Sequence, residues 1–263
     1  MDLKLNGKRA FISGSTQGIG FAIAQQLLNE GVEVTINGRQ TEKTYQAKEK
    51  LQKQFPDKNI SAIAADFSKK EEVEKLLLKL LDIDILINNV GIFEVKDFEN
   101  LTDEDWYKYF EINVMSSVRL SRQLLPEMLN KNWGRIIFIS SESGVNVPEN
   151  MIHYGMTKSA MLAIANGLSK LTKGTEVTVN SILGGPTYSN GVATVVEQIA
   201  EMKNLNVEQM KNAILQQSNA HILLQRFINP TEIASLATYL SSPLSLATNG
   251  ASLRADAGVL KII

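Results

Sequence analysis

The clearest candidate for acid-base chemistry is a tyrosine and a lysine at helical spacing. Of the six tyrosines, only Tyr154 is followed four residues later by a lysine, Lys158. This spacing places two side chains on one face of a helix. A phenol with an ordinary pKa of about 10 is a poor acid-base catalyst at neutral pH, but a nearby ammonium group stabilises the phenolate and lowers that pKa. The pair also occurs by chance, so a surface tyrosine beside a solvated lysine is the alternative.

Polar residues elsewhere in the chain could complete such a site. Ser141 ends a short apolar run 13 residues before Tyr154, and its hydroxyl could hold a carbonyl oxygen beside the phenol. Asn113 interrupts an otherwise helical apolar run. It could hold a water molecule that relays protons to Lys158, although a mid-helix asparagine is often only a solvent-facing residue. The sequence therefore predicts catalytic roles for Asn113, Ser141, Tyr154 and Lys158.

A glycine-rich turn follows the first apolar run and precedes the first helical segment. Its residues are Gly14, Ser15, Thr16, Gln17, Gly18, Ile19 and Gly20. Such a turn lets a pyrophosphate approach a helix N-terminus, where free N–H groups and the helix dipole favour negative charge. A tight strand-to-helix turn that binds nothing is the alternative. We interpret the whole turn as a nucleotide-binding site.

The end of the second apolar run bears on the identity of the nucleotide. Asn37 and Arg39 stand where a carboxylate would bind the ribose diol of NAD. Because no acid is present and the Arg39 guanidinium can pair with a phosphate, we expect NADP(H) to be preferred. Asn37 could still bond the ribose of NAD(H), so NAD(H) remains possible. Asp66, after the third run, is expected at the adenine edge.

These residues need a scaffold, and apolar periodicity predicts one. Short apolar runs, typical of buried strands, cover residues 10–13, 32–37, 60–65, 83–88, 135–140, 177–183 and 252–255. Segments with helical spacing cover residues 19–29, 70–81, 103–130, 154–172 and 231–240. Strands that alternate with helices predict an α/β fold, a single Rossmann-type doubly wound parallel sheet of about seven strands with helices on both faces.

The domain organisation is expected to be simple. No linker, repeat or low-complexity tract divides the chain, so residues 1–263 are interpreted as one NAD(P)-binding domain. The alternation is interrupted at about 186–227 by a polar, glutamine- and asparagine-rich stretch. Insertions at the carboxyl end of a parallel strand are where α/β enzymes build substrate lids. We therefore expect a substrate loop there.

Composition excludes several classes of function. The formal net charge is −1, which offers no overall positive field for a nucleic acid or an anionic membrane. Without cysteine, thiolate metal sites and disulfides are impossible, and two histidines leave little for a zinc site, so no metal is expected. No apolar stretch approaches the roughly 20 residues that span a bilayer. A cytoplasmic protein with a small-molecule substrate is the expectation.

Taken together, the motifs resemble the short-chain dehydrogenase/reductase family over nearly the whole chain. The matching positions are the glycine turn 14–20, the turn 88–91, the catalytic tetrad Asn113, Ser141, Tyr154 and Lys158, and the segments 180–185, 226–234 and 254–258. The resemblance implies an NAD(P)-dependent alcohol or carbonyl oxidoreductase that forms a dimer or tetramer. It also adds Asn89, Gly91, Gly185 and Thr187 to the cofactor-binding residues.

Three positions depart from the family pattern. Ser13 replaces a threonine and keeps the hydroxyl, whereas Val90 replaces an alanine and adds bulk beside the cofactor channel. Gly184 stands where proline is customary, so the neighbouring loop is expected to be more mobile. None of the three belongs to the tetrad.

The leading functional hypothesis is hydride transfer between NADP(H) and a small carbonyl or alcohol substrate, with Tyr154 as general acid or base. A dinucleotide-binding regulator without turnover is one alternative, and a 3-oxoacyl-thioester reductase is a narrower one. The substrate itself is not identified. Glu142 could face a substrate amine or hydroxyl, but a solvated loop acid is the favoured interpretation; His153 is expected on the pocket wall or the surface.

Subunit association is expected from the apolar faces of residues 103–130 and 154–172, which resemble the helices that pair subunits in this family. The tail 260–263 adds aliphatic residues that are expected to be exposed. A homotetramer is favoured over a homodimer.

Overall fold

The computed structural model describes residues 1–261, except for the side chain of Ser218. In this part of the chain, seven parallel strands form one sheet in the order β3-β2-β1-β4-β5-β6-β7. The strands are β1 (Arg9–Ile12), β2 (Glu33–Gly38), β3 (Ile60–Ala64), β4 (Ile85–Asn88), β5 (Trp133–Ser141), β6 (Glu176–Gly184) and β7 (Ser252–Ala255). The strand order reverses between β1 and β4, and open α/β sheets bind ligands at such a point. The predicted fold class is confirmed.

Helices cover both faces of the sheet. They are α1 (Gly18–Asn29), α2 (Thr41–Gln54), α3 (Lys70–Leu77), α4 (Asp103–Tyr109), α5 (Ser116–Asn130), α6 (Ile152–Lys170), α7 (Asn190–Met202), α8 (Val207–Asn219) and α9 (Pro230–Ser241). Successive strand residues serve opposite layers, as the pleat requires. Ala10 and Ile12 of β1 pack with α1, α2 and α9, whereas Phe11 packs with α3, α5 and α6.

The segment 103–130 is not the single helix that its periodicity predicts. The first part, α4, is capped at its N-terminus by Thr102, whose hydroxyl accepts a hydrogen bond from the Asp105 N–H in a capping box. A π-helical turn, Phe110–Met115, then separates α4 from α5. Such turns insert an extra residue into a helix and are frequent at functional sites. Here the turn contains Asn113, which is buried.

Helix α2 was missed from sequence, and α3 is shorter than predicted. Only Thr44, Ala47 and Leu51 of α2 are buried, so a sparse apolar stripe runs through a charged and polar segment. In α3 the helix ends at Leu77, four residues before the predicted end, and Leu81 is exposed. Apolar spacing therefore failed to predict α2 and predicted too long a helix for α3.

The insertion at about 186–227 contains α7 and α8. Tyr188, Val192 and Ile214 pack against small apolar clusters that join these helices to each other and to the chain around Phe227 and Val259. The segment expected to be a substrate loop is therefore largely helical.

The C-terminal residues correct one expectation and leave another untested. Leu260 is only 7% exposed, because its N–H donates to Asp256 Oδ2 (2.9 Å) and its side chain is covered. It is therefore not part of an exposed aliphatic tail. Ile262 and Ile263 lie outside the described residues. Across residues 1–261, no helix combines the length and the apolar character needed to cross a membrane.

Candidate active site

The glycine turn connects β1 to α1 in a backbone shape that side chains would obstruct. Gly14 and Gly18 have φ angles of +61° and +60°, a region that glycine enters without strain. A Cβ at Gly20 would lie 2.7 Å from the Gly14 carbonyl oxygen and 2.9 Å from the Ser15 Cα. The three glycines therefore keep side chains of the turn away from the N-terminus of α1, where the Gly18 N–H donates to Asn190 Oδ1 (3.0 Å).

Two of the predicted cofactor-binding side chains instead support this turn from beneath. Ser15 is buried, and its hydroxyl donates to the Ile12 carbonyl (2.7 Å) and accepts from the Asn37 N–H (2.9 Å). The buried Asn37 amide accepts from the Gly14 N–H (3.1 Å) and donates to the Ile63 carbonyl (3.0 Å). Because these partners occupy both side chains, we revise their expected cofactor contacts to a positioning role.

The turn after β4 is held against the glycine turn. Asn89 Nδ2 donates to the carbonyl oxygens of Ser13 (3.1 Å) and Gly14 (2.8 Å), and the Ser13 hydroxyl accepts from the N–H groups of Asn89 (2.9 Å) and Val90 (3.2 Å). The hydroxyl that Ser13 retains therefore has a structural use. Val90 packs directly over the turn, since its Cγ2 lies 3.2 Å from a Cβ position on Gly14.

The residues expected to bind the adenosine part of the cofactor lie at the end of β2 and after β3. Arg39 is exposed at the end of β2 and forms no salt bridge within the described residues. The Asp66 carboxylate accepts from the N–H (2.9 Å) and hydroxyl (2.8 Å) of Ser68, and these hydrogen bonds outweigh burial and lower its pKa. Gly38, not singled out from sequence, matters because a Cβ there would lie 2.4 Å from the Thr16 methyl group.

Tyr154 and Lys158 lie at the beginning of α6, as predicted. Lys158 is buried, and its Nζ donates to the Ile139 carbonyl (2.9 Å) and lies 5.5 Å from the centroid of the Tyr154 ring. Burial lowers the pKa of Lys158 to about 8, although Glu142 acts in the opposite direction. Burial and the Glu142 carboxylate raise the pKa of Tyr154, opposed by a hydrogen bond with Ser141. The pKa of the phenol is therefore shifted upward, not downward as expected, because burial and Glu142 outweigh the hydrogen bond with Ser141.

Asn113 is fixed in the interior by three hydrogen bonds. Its Oδ1 accepts from the Ile92 N–H (2.8 Å), and its Nδ2 donates to the Ile92 carbonyl (3.0 Å) and the Thr157 hydroxyl (3.0 Å). Thr157 in turn donates to the Tyr154 carbonyl (2.7 Å). The solvent-facing interpretation of Asn113 is thus wrong. Thr157, which sequence reasoning missed, links the π-helical turn to the first turn of α6.

Gly91 brings the loop after β4 close to this group. A Cβ on Gly91 would lie 3.4 Å from Lys158 Nζ and 3.8 Å from Asn113 Oδ1. Gly185, after β6, is similarly restricted, because a Cβ there would lie 2.6 Å from the Asp256 carbonyl oxygen. The Thr187 hydroxyl donates to the Gly185 carbonyl (2.8 Å), which shapes the entrance to the insertion.

Ser141 and Glu142 form a compact polar corner at the end of β5. The Ser141 hydroxyl donates to Glu142 Oε2 and accepts from the Ser143 N–H (3.1 Å). The same Glu142 oxygen accepts from the Ser143 N–H (2.7 Å). Burial raises the pKa of Glu142 despite these hydrogen bonds. Glu142 is therefore not the solvated loop acid favoured from sequence.

These groups meet at one cavity of about 740 Å³. Its lining extends from Ile19 in the glycine turn to Ser141 and Tyr154, and continues to Ile214 and Phe227 of the insertion. The substrate loop expected at about 186–227 therefore forms part of the wall. A cavity that joins a phosphate-binding turn to a phenol and a serine hydroxyl suits acid-base chemistry on a substrate held beside a dinucleotide.

His153 lies neither on this wall nor at the surface. Its buried ring contacts Tyr109 and Trp106 edge-on, with centroid distances of 4.2 and 6.4 Å. Neither ring nitrogen has a hydrogen-bond partner among the described residues, and burial lowers the pKa of His153. Both interpretations made from sequence are therefore wrong, because adjacent helix positions point about 100° apart and His153 faces α4.

The site fits a nicotinamide dinucleotide. The glycines keep Cβ atoms of the turn itself away from the N-terminus of α1, and Arg39, which has no salt bridge among the described residues, is exposed at the end of β2, where an adenosine ribose would bind.

Comparisons with known proteins agree with this arrangement. A family model described as short chain dehydrogenase matches residues 8–200. The "uncharacterized oxidoreductase YvaG" of Bacillus subtilis strain 168 is 41% identical over 263 residues, which is 100% of both chains. A D-beta-hydroxybutyrate dehydrogenase of Cupriavidus necator is 31% identical over 258 residues, 97% of this chain and 98% of the other.

A solved structure extends the likeness to three dimensions. L-sorbose reductase from Gluconobacter frateurii, in complex with NADPH and L-sorbose, superposes with a TM-score of 0.93. The two sequences are 27% identical, and the match covers 100% of each chain.

Proposed function

Because this chain belongs to the short chain dehydrogenase family and is an oxidoreductase, we propose that it transfers a hydride between NADP(H) and a small carbonyl or alcohol substrate, with Tyr154 as general acid or base. The observation that carries the proposal is that Ser141 and Tyr154 line one cavity with Ile19 of the glycine turn, while Lys158 Nζ lies 5.5 Å from the centroid of the Tyr154 ring. The nicotinamide ring, when bound, supplies or accepts the hydride.

The protein's own residues handle the proton. In carbonyl reduction, the Tyr154 hydroxyl donates its proton to the carbonyl oxygen, while the Ser141 hydroxyl turns from Glu142 Oε2 and donates its hydrogen bond to that oxygen. A raised phenol pKa keeps Tyr154 protonated at neutral pH, which is the form that reduction requires. In alcohol oxidation the phenolate must form first. Lys158 and a cationic oxidised nicotinamide both favour that anion.

Lys158 and Asn113 support this proton transfer in different ways. The Lys158 ammonium is placed to bind the nicotinamide ribose and to stabilise a phenolate. Asn113, held through Ile92 and Thr157, is proposed to position a water molecule that exchanges protons with Lys158. The short approach of Gly91 to both side chains supports this arrangement.

Cofactor choice is part of the proposal. Arg39 is exposed and has no salt-bridge partner in the described residues, and no carboxylate stands at the end of β2. A 2′-phosphate would be paired there rather than repelled. NADPH in the complex of the Gluconobacter relative supports the same preference.

We also propose that residues 1–263 act as one domain in a homotetramer or homodimer. Exposed apolar side chains on the α4 side, including Tyr107 and Phe110, support association. A chain without cysteine has no need of an oxidising compartment, which supports a cytoplasmic location.

The decisive experiment replaces Tyr154 by phenylalanine. This change removes one hydroxyl, so we expect the fold and the affinity for NADPH to be retained while kcat falls by about two to four orders of magnitude, the usual contribution of a positioned general acid. NADPH binding is measured by fluorescence, and turnover by NADPH consumption with a panel of ketones and diketones. A Tyr154→Phe enzyme with near-wild-type kcat would overturn the mechanism. Wild-type protein that binds NADPH and reduces nothing would favour a regulator.

A further inference from the structure

Glu142 is a carboxylate at the reacting end of the cavity with no role in the proton transfer described above. Its Oε2 is bonded to the Ser141 hydroxyl and the Ser143 N–H, so it lies one hydrogen bond from the group proposed to hold the substrate oxygen. It also lines the cavity. A group bound to this carboxylate would therefore lie next to the reacting carbonyl.

The charges around the cavity restrict that group. Among the described lining residues the ionisable ones are Glu142, Glu149 and Tyr154, and none is a lysine or an arginine. Glu142 has no salt-bridge partner in this part of the chain. A substrate carboxylate at this place would meet the Glu142 carboxylate, and the buried Lys158 ammonium is already engaged electrostatically with Glu142, so the two like charges cost affinity.

A hydroxyl suits the place better than an ammonium group. Buried Lys158 already acts electrostatically on Glu142, so a second cation would be repelled by it. A hydroxyl can donate to the carboxylate without adding a charge to this buried place, whereas an ammonium group would bring a second cation beside Lys158. Further along the wall, Asn150, Gln217 and Asn219 carry neutral amides, which also suit hydroxyl groups.

We propose that Glu142 is a specificity-determining residue that accepts a hydrogen bond from a hydroxyl on the carbon next to the reacting carbonyl. The enzyme then takes hydroxy ketones or hydroxy aldehydes and rejects keto acids. This inference rests on the proposed function, since it names the substrate class of the same site.

Four small ketones test it, because they differ only in one group beside the carbonyl. Hydroxyacetone carries the hydroxyl, butanone replaces it with a methyl group, aminoacetone with an ammonium group, and pyruvate carries a carboxylate. For wild type we expect kcat/KM to be highest for hydroxyacetone and lowest for pyruvate. Equal values for hydroxyacetone and butanone, or a preference for aminoacetone, would overturn the inference.

Substitution of Glu142 isolates its contribution. Glu142→Ala should lower the ratio of kcat/KM for hydroxyacetone to kcat/KM for butanone by about 10- to 100-fold, the value of a hydrogen bond to a charged group, because any effect on Tyr154 or Ser141 is common to both substrates. The kcat/KM for pyruvate should rise by a similar factor in Glu142→Ala and in the isosteric Glu142→Gln. The turn itself keeps a bond, since the Ser141 hydroxyl still accepts from the Ser143 N–H (3.1 Å). An unchanged affinity for NADPH verifies that the variants are folded.

A second acid in the cavity provides the matched control. Glu149 is exposed, so Glu149→Ala should leave the hydroxyacetone-to-butanone ratio unchanged. If Glu142→Ala lowers kcat/KM equally for all four substrates, Glu142 is a general structural residue and the inference fails. The proposed function is tested separately, by the turnover of butanone in Tyr154→Phe. If Tyr154→Phe loses this turnover but Glu142→Ala keeps the hydroxyacetone-to-butanone ratio of wild type, the inference about Glu142 fails and the proposed function stands.

Discussion

Burial acts on the three ionisable groups at the reacting end of the cavity in the same sense, towards the neutral form. It raises the pKa of Tyr154 and Glu142 and lowers the pKa of Lys158 to about 8. The three groups therefore depend on one another for charge stabilisation. A change in one alters the protonation of the others, so single substitutions at this site are not expected to be additive.

The raised pKa of Glu142 predicts how stability depends on pH. The folded state holds the Glu142 proton more tightly than the unfolded chain, whose ordinary pKa is 4.5. The contribution to stability is therefore complete below that value and is lost as the pH rises through the folded-state pKa. Tyr154, Lys158 and Asp256 are the ionisable neighbours that interact with it.

We expect Glu142→Gln, which cannot ionise, to gain in melting temperature relative to wild type as the pH is raised from 4.5 to 8. Calorimetry of both proteins across this range measures the difference, which cancels the effect of other carboxyl groups. The same comparison with Glu149→Gln serves as control, since that side chain is exposed. A difference between wild type and Glu142→Gln that is independent of pH would contradict the shift.

Arg39 carries the prediction on cofactor choice. We expect wild type to bind NADPH more tightly than NADH. Arg39→Asp should reverse the order, because repulsion of the 2′-phosphate replaces a charge-assisted contact and the new carboxylate can accept from the ribose diol. The affinity for NADPH should fall on the order of tenfold or more. Fluorescence titration with each nucleotide measures it, and a wild type that already prefers NADH would refute the assignment.

For single residues, the sequence predicts which residue types come together, and at what spacing, better than it predicts the direction in which each side chain points. Tyr154, Lys158 and Ser141 lie together because each follows a recognisable element boundary. Ser15 lies in the predicted turn and Asn37 at the end of β2, yet their side chains point into the protein and complete buried backbone hydrogen bonds. No pattern in one sequence distinguishes a side chain above a turn from one beneath it.

Among the elements, the strands were predictable and the irregular helices were not. β7 has the predicted bounds, residues 252–255, and the other strands differ by a few residues at their ends. A buried parallel strand is a nearly continuous apolar run and is easily recognised. The π-helical turn at Asn113 keeps the apolar periodicity of its flanking helices, so the sequence shows one long helix. Only the backbone of the folded chain shows the π-helical turn.

The contact between β2 and the glycine turn gives a prediction for these elements. Gly38→Ala would place a Cβ 2.4 Å from the Thr16 methyl group and 2.7 Å from the Thr44 hydroxyl. The turn must then shift, so we expect a loss of about 1 to 3 kcal/mol in the free energy of unfolding and weaker NADPH binding. Thermal unfolding and fluorescence titration measure the two effects.

Gly167→Ala is the matched control for Gly38→Ala. A Cβ on Gly167 would meet nothing within 4 Å, and the residue lies within α6. Alanine there should stabilise the helix by up to about 1 kcal/mol and leave NADPH affinity unchanged. If both substitutions behave alike, crowding at Gly38 is not the cause.

For the whole molecule, the exposed apolar residues predict self-association. Tyr107 is 73% exposed on α4, and Phe110 follows at the π-helical turn. We expect light scattering at micromolar concentration to give the mass of a tetramer, or of a dimer. Tyr107→Glu with Phe110→Glu should lower that mass, because two charges would enter an apolar contact. Tyr45→Glu, at an exposed tyrosine on α2, should not. A wild-type monomer would refute the association.

The position of β7 has a consequence for how the protein is made. This strand pairs with β6, and the residues after it support both Gly185, through Asp256, and the insertion, where the Leu223 N–H donates to the Ala257 carbonyl (2.9 Å). Chains fold from the N-terminus as they leave the ribosome. A nascent chain that has completed β6 therefore holds a nucleotide turn without a finished substrate cavity, and exposes a strand edge that another chain can pair with. Until residues 252–255 have been synthesised, that edge of β6 lacks its pairing partner.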